Sequence, residues 1–165
     1  MLQHTRYART ASFCSGSAAH FDSWNQGISF FLPNMTWLQP PGYVHKGISA
    51  TWAEQTVAAD VAQGDSMPFA AQLAQGGKRL VVRAVNAANT SETLTVRLKG
   101  ATAKGGALDL WVLGGDDLKQ GNSAAEPARI SPKSSTGSAL AAGAAEFALD
   151  VPRFSFVIAG LDLAA

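Results

Sequence analysis

The sequence contains a single cysteine, Cys14, among 165 residues. One cysteine excludes a disulfide within the chain and a structural zinc site built on cysteine pairs, and a small buried side chain is its simplest role. Charge is also sparse, because 13 basic and 12 acidic residues are scattered singly and leave a net charge of +1. A chain without a strong field is not expected to bind nucleic acid or an anionic membrane.

Long apolar runs are missing as well. No stretch approaches the roughly 20 apolar residues that span a bilayer, so no membrane partner is expected. The N-terminal region has Arg6, Arg9 and no acidic residue before Asp22, as transit peptides do, but it lacks an amphipathic apolar face. It also lacks the apolar core of a secretory signal, and the residues alone therefore leave the compartment open.

Clusters of chemically reactive residues are absent too. His4, His20 and His45 are far apart and have no carboxylate at ligand spacing, so neither a metal site nor a cysteine–histidine nucleophile is supported. Gly76–Gly77 and Gly105–Gly106 lack the strand, loop and helix context of a phosphate-binding loop, and both are predicted to be hairpin turns. No cofactor is expected.

The first third of the chain predicts one strand and one helix. Residues 28–32 form an apolar run typical of a buried strand, Pro33–Asn34 end it, and a helix opened by prolines is predicted from Gly42 to about Trp52. A strand followed by a helix is the repeating unit of α/β folds, and one such unit cannot bury its own faces. The region also has more tryptophans than this packing needs: Trp24, Trp37 and Trp52.

From residue 54 onward, apolar and β-branched runs between turn residues predict strands. Residues 79–86 and 93–98 are predicted to form an antiparallel pair in which Arg83 and Arg97 are exposed. Trp111 is expected to be buried between two sheets. The small residues of segment 134–145 predict a mobile loop. The predicted strands are 55–62, 69–74, 79–86, 93–98, 108–113, 146–149 and 154–161.

A long irregular segment follows the predicted strand 108–113. It contains Gly114–Gly115, Asp116–Asp117, Asn122 and Pro127 and ends at Pro132, residues that favour turns over regular hydrogen bonding. A compact domain rarely keeps so long a connection unless it is packed against something or used. The segment is therefore the first functional candidate, and the alternative is that it only covers one end of a sandwich.

The order of these features is distinctive. Five segments follow one another along the chain. They are the strand WNQGISFFLPN, the helix opening WLQPPGYV, the strand pair KRLVVRAVNAANTSETLTVRL, the loop with Asp116–Asp117, Asn122, Glu126–Pro127 and Pro132, and the final PRFSF. Together they resemble the C-terminal end of α-L-arabinofuranosidases of glycoside hydrolase family 51. The resemblance implies a mainly β fold. Residues 1–53 would be a short strand–helix remnant of the last unit of a (β/α)8 barrel, and residues 54–165 an antiparallel, jelly-roll-like β-sandwich.

The carboxylates of this chain do not provide the chemistry of that family. Retaining glycosidases need two carboxyl groups about 5–5.5 Å apart, and the resemblance implies that both come from earlier barrel strands. Asp22 is the only acidic residue before Glu54, and Asp116–Asp117 fit turn residues better than an acid/base pair. No catalytic residue is therefore predicted in this chain.

Trp24 and Asn25 are the candidate substrate-binding residues. They lie near the start of the predicted barrel strand, where they would border a sugar subsite if the barrel were complete. A tryptophan face stacks on a sugar ring as well as it packs a core. Core packing is the favoured role for Trp24 and, more strongly, for Trp37, and the sugar subsite is the functional alternative for Trp24.

Two functions are compatible with the sequence. In the first, the chain is a C-terminal accessory part of an arabinofuranosidase-like enzyme and is inactive alone. Its partners would be the upstream catalytic barrel of a longer parent protein and, through it, arabinose-containing polysaccharide. An extracellular location is expected for the full-length parent. In the second, the chain is a stand-alone non-catalytic sandwich that binds carbohydrate or protein, for which an aromatic platform on an exposed sheet face is expected.

Overall fold

Antiparallel strands dominate the fold. The structure is a computed structural model and describes residues 17–19, 27–60 and 67–164. One α-helix lies among eleven strands in these residues, and a single 3₁₀ turn, Gln75–Gly77, joins β5 to β6. In chain order the elements are β1 Ser17–Ala19, β2 Ser29–Leu32, β3 Met35–Leu38, α1 Pro40–Ala50, β4 Gln55–Thr56, β5 Phe69–Ala74, β6 Arg79–Asn86, β7 Glu92–Arg97, β8 Gly106–Gly114, β9 Lys133–Leu140, β10 Glu146–Val151 and β11 Ser155–Asp162.

The sandwich consists of a six-stranded sheet and a two-stranded sheet. The larger sheet has the order β4-β5-β6-β11-β8-β9, and the smaller one pairs β10 with β7. Alternate residues of the strands point into the space between the sheets, as the period of two requires. The predicted mainly β sandwich is confirmed. Its buried core comprises Leu80, Val82, Ala84, Ala103, Leu108, Phe147, Leu149, Val151, Val157, Ala159, Leu161 and Leu163.

The predicted pairing of residues 79–86 with 93–98 is wrong. β6 pairs with β5 and β11, whereas β7 pairs with β10 in the other sheet. The short connection after β6 therefore crosses from one sheet to the other instead of closing a hairpin. Gly105–Gly106 is not a hairpin turn either, because Gly106 begins β8 and β8 returns to the larger sheet. Gly76–Gly77 does lie in the hairpin that joins β5 to β6.

The predicted mobile loop at residues 134–145 is wrong for most of its length. Lys133–Leu140 forms β9, an edge strand that pairs with β8. Most β9 side chains are exposed, so the strand needs few large apolar residues and is held mainly by backbone hydrogen bonds. Small size is required at Gly137, where an added Cβ would lie 3.0 Å from a methyl of Leu110.

Helix α1 covers the face of the larger sheet that lies opposite the smaller sheet. Val44 on the helix packs with Phe156 and Ile158 on β11. Gly47 permits the close approach, because a Cβ there would lie 3.0 Å from the Trp111 ring. Trp111 therefore packs beneath the helix and not between the sheets as predicted. The reason is strand alternation, which directs the even-numbered residues of β8 towards the other sheet.

The N-terminal strands form a separate small sheet. β1 pairs with β2 in parallel, and β2 pairs with β3 in an antiparallel hairpin. The predicted strand and helix are present, but β3 was not predicted, because the turn at residues 33–34 reads as the end of a strand. Phe30 and Trp37 stack with their ring centroids 5.9 Å apart, and Trp37 has the core role that was favoured for it.

Two large aromatic side chains of the N-terminal third face solvent. Phe31 on β2 is 45% exposed, and Trp52 after α1 is 64% exposed. Because soluble proteins tend to cover large exposed apolar surfaces by association, we expect the isolated chain to self-associate. Light scattering should show an apparent mass that rises with protein concentration, and Phe31→Ser with Trp52→Ser should reduce the rise. A wild-type chain that stays monomeric at high concentration would contradict this expectation.

Candidate functional site

The segment between β8 and β9, residues 115–132, is an ordered loop held by one buried asparagine. The Asn122 side chain donates to the backbone oxygens of Leu38 at 2.7 Å and Ile130 at 2.9 Å, and it accepts from the Ile130 amide at 2.7 Å. The Gln39 side chain binds the Asn122 backbone: it donates to the backbone oxygen at 2.6 Å and accepts from the backbone N–H at 2.9 Å. The loop is thereby fixed to the start of α1.

Apolar contacts hold the same loop at two further points. Ile130 is buried with Val44 and Phe156 between α1 and the larger sheet. Ala124 packs against the Phe30 and Trp37 pair of the β2–β3 hairpin. The 115–132 loop is thus packed against the hairpin, the helix and the sandwich together.

Replacing Asn122 should show how much this anchor contributes. Asn122→Ala removes the side-chain partner of two buried backbone groups of Ile130 and of the partly buried oxygen of Leu38, and we expect a loss of about 2–4 kcal/mol in the free energy of unfolding. Urea unfolding followed by circular dichroism measures the loss. Asn89→Ala is the matched control, because Asn89 lies on the surface and accepts only a 3.3 Å hydrogen bond from Arg153. Equal stability of both variants would contradict the anchoring role.

An apolar cleft of about 270 Å³ lies between α1, the 115–132 loop and one end of the larger sheet. Helix residues spaced four apart form one wall: Pro40, Val44 and Ile48. Leu113 and Phe156 are among the sheet residues that line it. At the loop side lies Leu118, whose side chain is 65% exposed. The cleft offers apolar surface and few polar groups.

The C-terminal end of α1 is held by a buried arginine. Arg83 is 0% exposed, which corrects the prediction that it faces solvent. Its guanidinium donates to the Thr51 backbone oxygen at 2.5 Å and to the side-chain oxygen of Gln72. A cation at a helix C-terminus is favoured by the helix dipole. Burial lowers the pKa of Arg83 to about 10, so the side chain still carries its charge at neutral pH.

Several of the described carboxylates take part in ion pairs and turns. Asp109 and Asp162 both bind Arg79, whose side chain crosses Gly160 on the intervening strand to reach Asp109. The hydrogen bond and charge of Asp109, followed by those of Asp162, raise the pKa of Arg79 despite its partial burial. Glu146 pairs with the exposed Arg97, as Glu126 does with Arg129.

Asp116 and Asp117 have the turn roles that were favoured for them. The Asp117 carboxylate accepts from the Lys119 amide at 2.9 Å. The Asp116 carboxylate lies 3.6 Å from the Arg153 guanidinium and is largely exposed. Neither faces an enclosed site in which an acid/base pair could work.

The sequence-predicted substrate-binding residues, Trp24 and Asn25, lie outside the described residues, as does Asp22. Their role stays a prediction. Sequence reasoning missed Gln39 and Arg83, because their functions depend on elements that are far away in sequence. One signal was available in Gly47, since a glycine inside a helical pattern often marks close packing.

The described residues contain no group of three or more histidine, cysteine, aspartate or glutamate side chains able to hold a metal ion. Within the same residues, α1 is too short and too polar to cross a membrane.

Comparison with known proteins identifies relatives of this fold. No curated protein sequence matches the chain. An arabinose-bound structure of the MgGH51 α-L-arabinofuranosidase matches 86% of this chain and 22% of its own, with 18% identity and a TM-score of 0.71. An α-L-arabinofuranosidase from Thermotoga maritima in complex with arabinose matches 83% of this chain and 32% of its own, with 18% identity and a TM-score of 0.69.

The fold also occurs in an enzyme of another glycoside hydrolase family. The catalytic domain of family 30 xylanase C from Talaromyces cellulolyticus matches 88% of this chain and 29% of its own, with 19% identity and a TM-score of 0.59. This chain therefore spans less than a third of the length of each of these three structures. At such low sequence identities the similarity shows a shared fold, and it does not identify a substrate for this chain.

A family model gives the more specific assignment. It describes the α-L-arabinofuranosidase C-terminal domain and matches residues 25–155. The match covers the β2–β3 hairpin, α1, the 115–132 loop and the sandwich as far as the start of β11. The chain belongs to the α-L-arabinofuranosidase C-terminal domain family.

Proposed function

We propose that this chain is the C-terminal accessory and structural part of a larger arabinofuranosidase-like glycoside hydrolase. Residues 1–53 are then the remnant of the last β/α unit of a catalytic barrel, and residues 54–165 form the C-terminal sandwich domain. The family match and the fold shared with arabinofuranosidase structures support this proposal.

The observation that carries the proposal is the position of α1 between two partners. Val44 and Gly47 are buried against the sandwich. On another side of the helix, a Cβ at Gly42 would lie 2.8 Å from the backbone oxygen of Ile28, just before β2. β2 pairs in parallel with β1, which is the pairing that β/α units use, while β3 joins the same sheet as an antiparallel strand. A helix packed against both units can join a barrel firmly to the sandwich.

The proposed parent protein supplies the rest of the barrel and its catalytic carboxylates. Its proposed substrate is an arabinose-containing polysaccharide. Trp24 and Asn25 are proposed to border a sugar subsite, where the indole face would stack on a sugar ring.

Heat inactivation of the parent tests the accessory role. Removing residues 54–165 exposes the sandwich-facing side of α1, including Val44 and Ile48, to water. We expect the shortened protein to lose activity irreversibly at a temperature several degrees lower than the parent, while its kcat at low temperature is largely kept. Equal heat stability of the two proteins would contradict the proposal.

The alternative is a stand-alone sandwich that binds carbohydrate. The expected aromatic platform is not found on the described strands of the sandwich. Its aromatic side chains there are buried or half-buried, and the two exposed ones, Phe31 and Trp52, lie outside those strands. Electrophoresis through a gel containing arabinan separates the two functions. The accessory role predicts unchanged migration of the 165-residue chain, and clear retardation would favour the alternative.

A further inference from the structure

The turn of the β2–β3 hairpin combines an exposed asparagine with an exposed aromatic ring. Pro33 and Asn34 form the turn, and the triplet Asn34-Met35-Thr36 is an acceptor sequence for an N-linked glycan. Asn34 and Thr36 are both exposed, which leaves room for a glycan on the folded chain. Phe31, three residues before the asparagine, is 45% exposed.

The hairpin register brings Phe31 and Thr36 together. They are direct cross-strand partners, and such partners have Cβ atoms about 4.5–5.5 Å apart on one face of the sheet. Phe30 and Trp37, one residue further from the turn, are buried on the other face. The exposed face of the hairpin therefore ends in an aromatic ring and a threonine next to the turn that contains Asn34.

Two other asparagines show how a side chain required by the fold is bound. Asn86 and Asn122 are buried, and each side-chain nitrogen donates to two backbone oxygens. A glycan on either nitrogen would break these bonds. The Asn34 side chain is exposed and makes no such bond to the described residues, so a glycan on its nitrogen leaves the fold intact.

We propose that Asn34 is an N-glycosylation site of the parent protein and that the first sugar of the glycan packs on the Phe31 ring. One face of a sugar ring presents C–H groups, and the electron-rich face of an aromatic ring attracts them. The contact also removes an exposed apolar ring from water. The inference rests on the proposed parent and on its expected extracellular location, and it does not depend on the parent's activity.

The modification is a glycosyl transfer for which the secretory pathway supplies the donor, a lipid-linked oligosaccharide diphosphate, and the transferase. A bond forms between Nδ2 of Asn34 and the anomeric carbon of the first sugar, while the bond between that carbon and the diphosphate oxygen breaks. The lipid diphosphate leaves, and one amide proton passes to water. The side chain remains an uncharged amide, as its exposed position in a turn allows.

Mass spectrometry of the parent purified from its natural source tests the site. A peptide N-glycosidase releases the glycan and leaves an aspartate, so treated and untreated peptides show which asparagine was modified. We expect conversion at position 34 only after treatment. Unmodified Asn34 throughout the preparation would overturn the proposal. If removal of residues 54–165 still lowered the heat stability of such a parent, the proposed function would stand without this site.

Thermal melting tests the contact between the glycan and Phe31. The parent is secreted from a eukaryotic host, and each variant is melted before and after enzymatic removal of its glycans. Removal should lower the melting temperature of the wild type by several degrees, and by much less in Phe31→Ser. Asn34→Gln should show no drop that depends on Phe31. Equal drops in the wild type and Phe31→Ser would overturn the stacking contact and would indicate that the upstream barrel covers the ring.

A second acceptor triplet provides the matched control. Asn89-Thr90-Ser91 is exposed, but the residue three positions before Asn89 is the buried Asn86 and not an aromatic residue. A glycan there has no ring to pack on. Asn89→Gln should therefore keep the wild-type drop in melting temperature, and a drop that disappears in this variant would contradict the assignment to Asn34.

Discussion

The purified 165-residue chain is expected to release no aryl alcohol from an aryl α-L-arabinofuranoside, whereas the parent protein with its upstream barrel hydrolyses it. Retaining hydrolysis needs a nucleophile and an acid/base about 5–5.5 Å apart on the two sides of the scissile bond. Among the described residues, Asp116 and Asp117 lie in an exposed turn, and Asp109 and Asp162 are paired with Arg79. None of these carboxylates faces an enclosed site.

The assay includes Asp116→Asn, Asp117→Asn and Asp22→Asn variants of the same chain. Asp22 is included because it is the only acidic residue of the first 53. Turnover by the short chain that disappears in any one of these variants would contradict the account, because it would identify a working catalytic carboxylate in this segment.

Loss of the acceptor for Arg83 should lower stability about as much as loss of the Asn122 side chain. Gln72→Leu removes the side-chain oxygen to which the buried guanidinium donates, and we expect a loss of about 2–4 kcal/mol in the free energy of unfolding. The double variant Gln72→Leu with Arg83→Met should be more stable than Gln72→Leu alone, because it contains no buried cation. Urea unfolding of the two variants measures the difference.

Arg97→Met is the control for the arginine substitutions. Arg97 pairs with Glu146 on the exposed face of β7, so its replacement should leave the unfolding midpoint unchanged within error. A Gln72→Leu variant as stable as the wild type would show that Arg83 does not depend on this acceptor.

Most strands were readable from the sequence, with β3 and β9 as the exceptions, whereas the partners of the strands were not. Residues 69–74 and 79–86 were predicted with the observed bounds, because apolar and β-branched residues crowd into these segments between turn residues. The same pattern does not tell which sheet a strand joins. The crossing between β6 and β7 depends on how both sheets pack, and that packing involves strands more than 50 residues further along the chain.

Two residues show why burial was harder to predict than strand position. A charged residue in a strand usually faces water, but Arg83 lies under the end of α1, and nothing near it in sequence indicates that a helix covers that face. Trp111 was expected inside the core because of its size. It is instead half-buried beneath the same helix, at a position that only the alternation of β8 explains.

The candidate site was predicted in part. Glycine, proline and paired aspartates marked the 115–132 loop as a long ordered excursion, and the loop is indeed packed on three elements. The contact between Asn122 and Gln39 joins residues 83 positions apart, and no local pattern reveals such a pair. The cleft depended on that contact and could not be foreseen from the sequence.

Calorimetry of the parent protein tests most directly whether α1 joins the barrel to the sandwich. The parent should unfold in one cooperative heat-capacity transition. At Gly47 even an added Cβ would lie 3.0 Å from the Trp111 ring, so a leucine side chain cannot fit there. The Gly47→Leu variant of the parent should therefore unfold in two separate transitions. Two independent transitions in the unmodified parent, one of them at the melting temperature of the isolated 165-residue chain, would contradict the account.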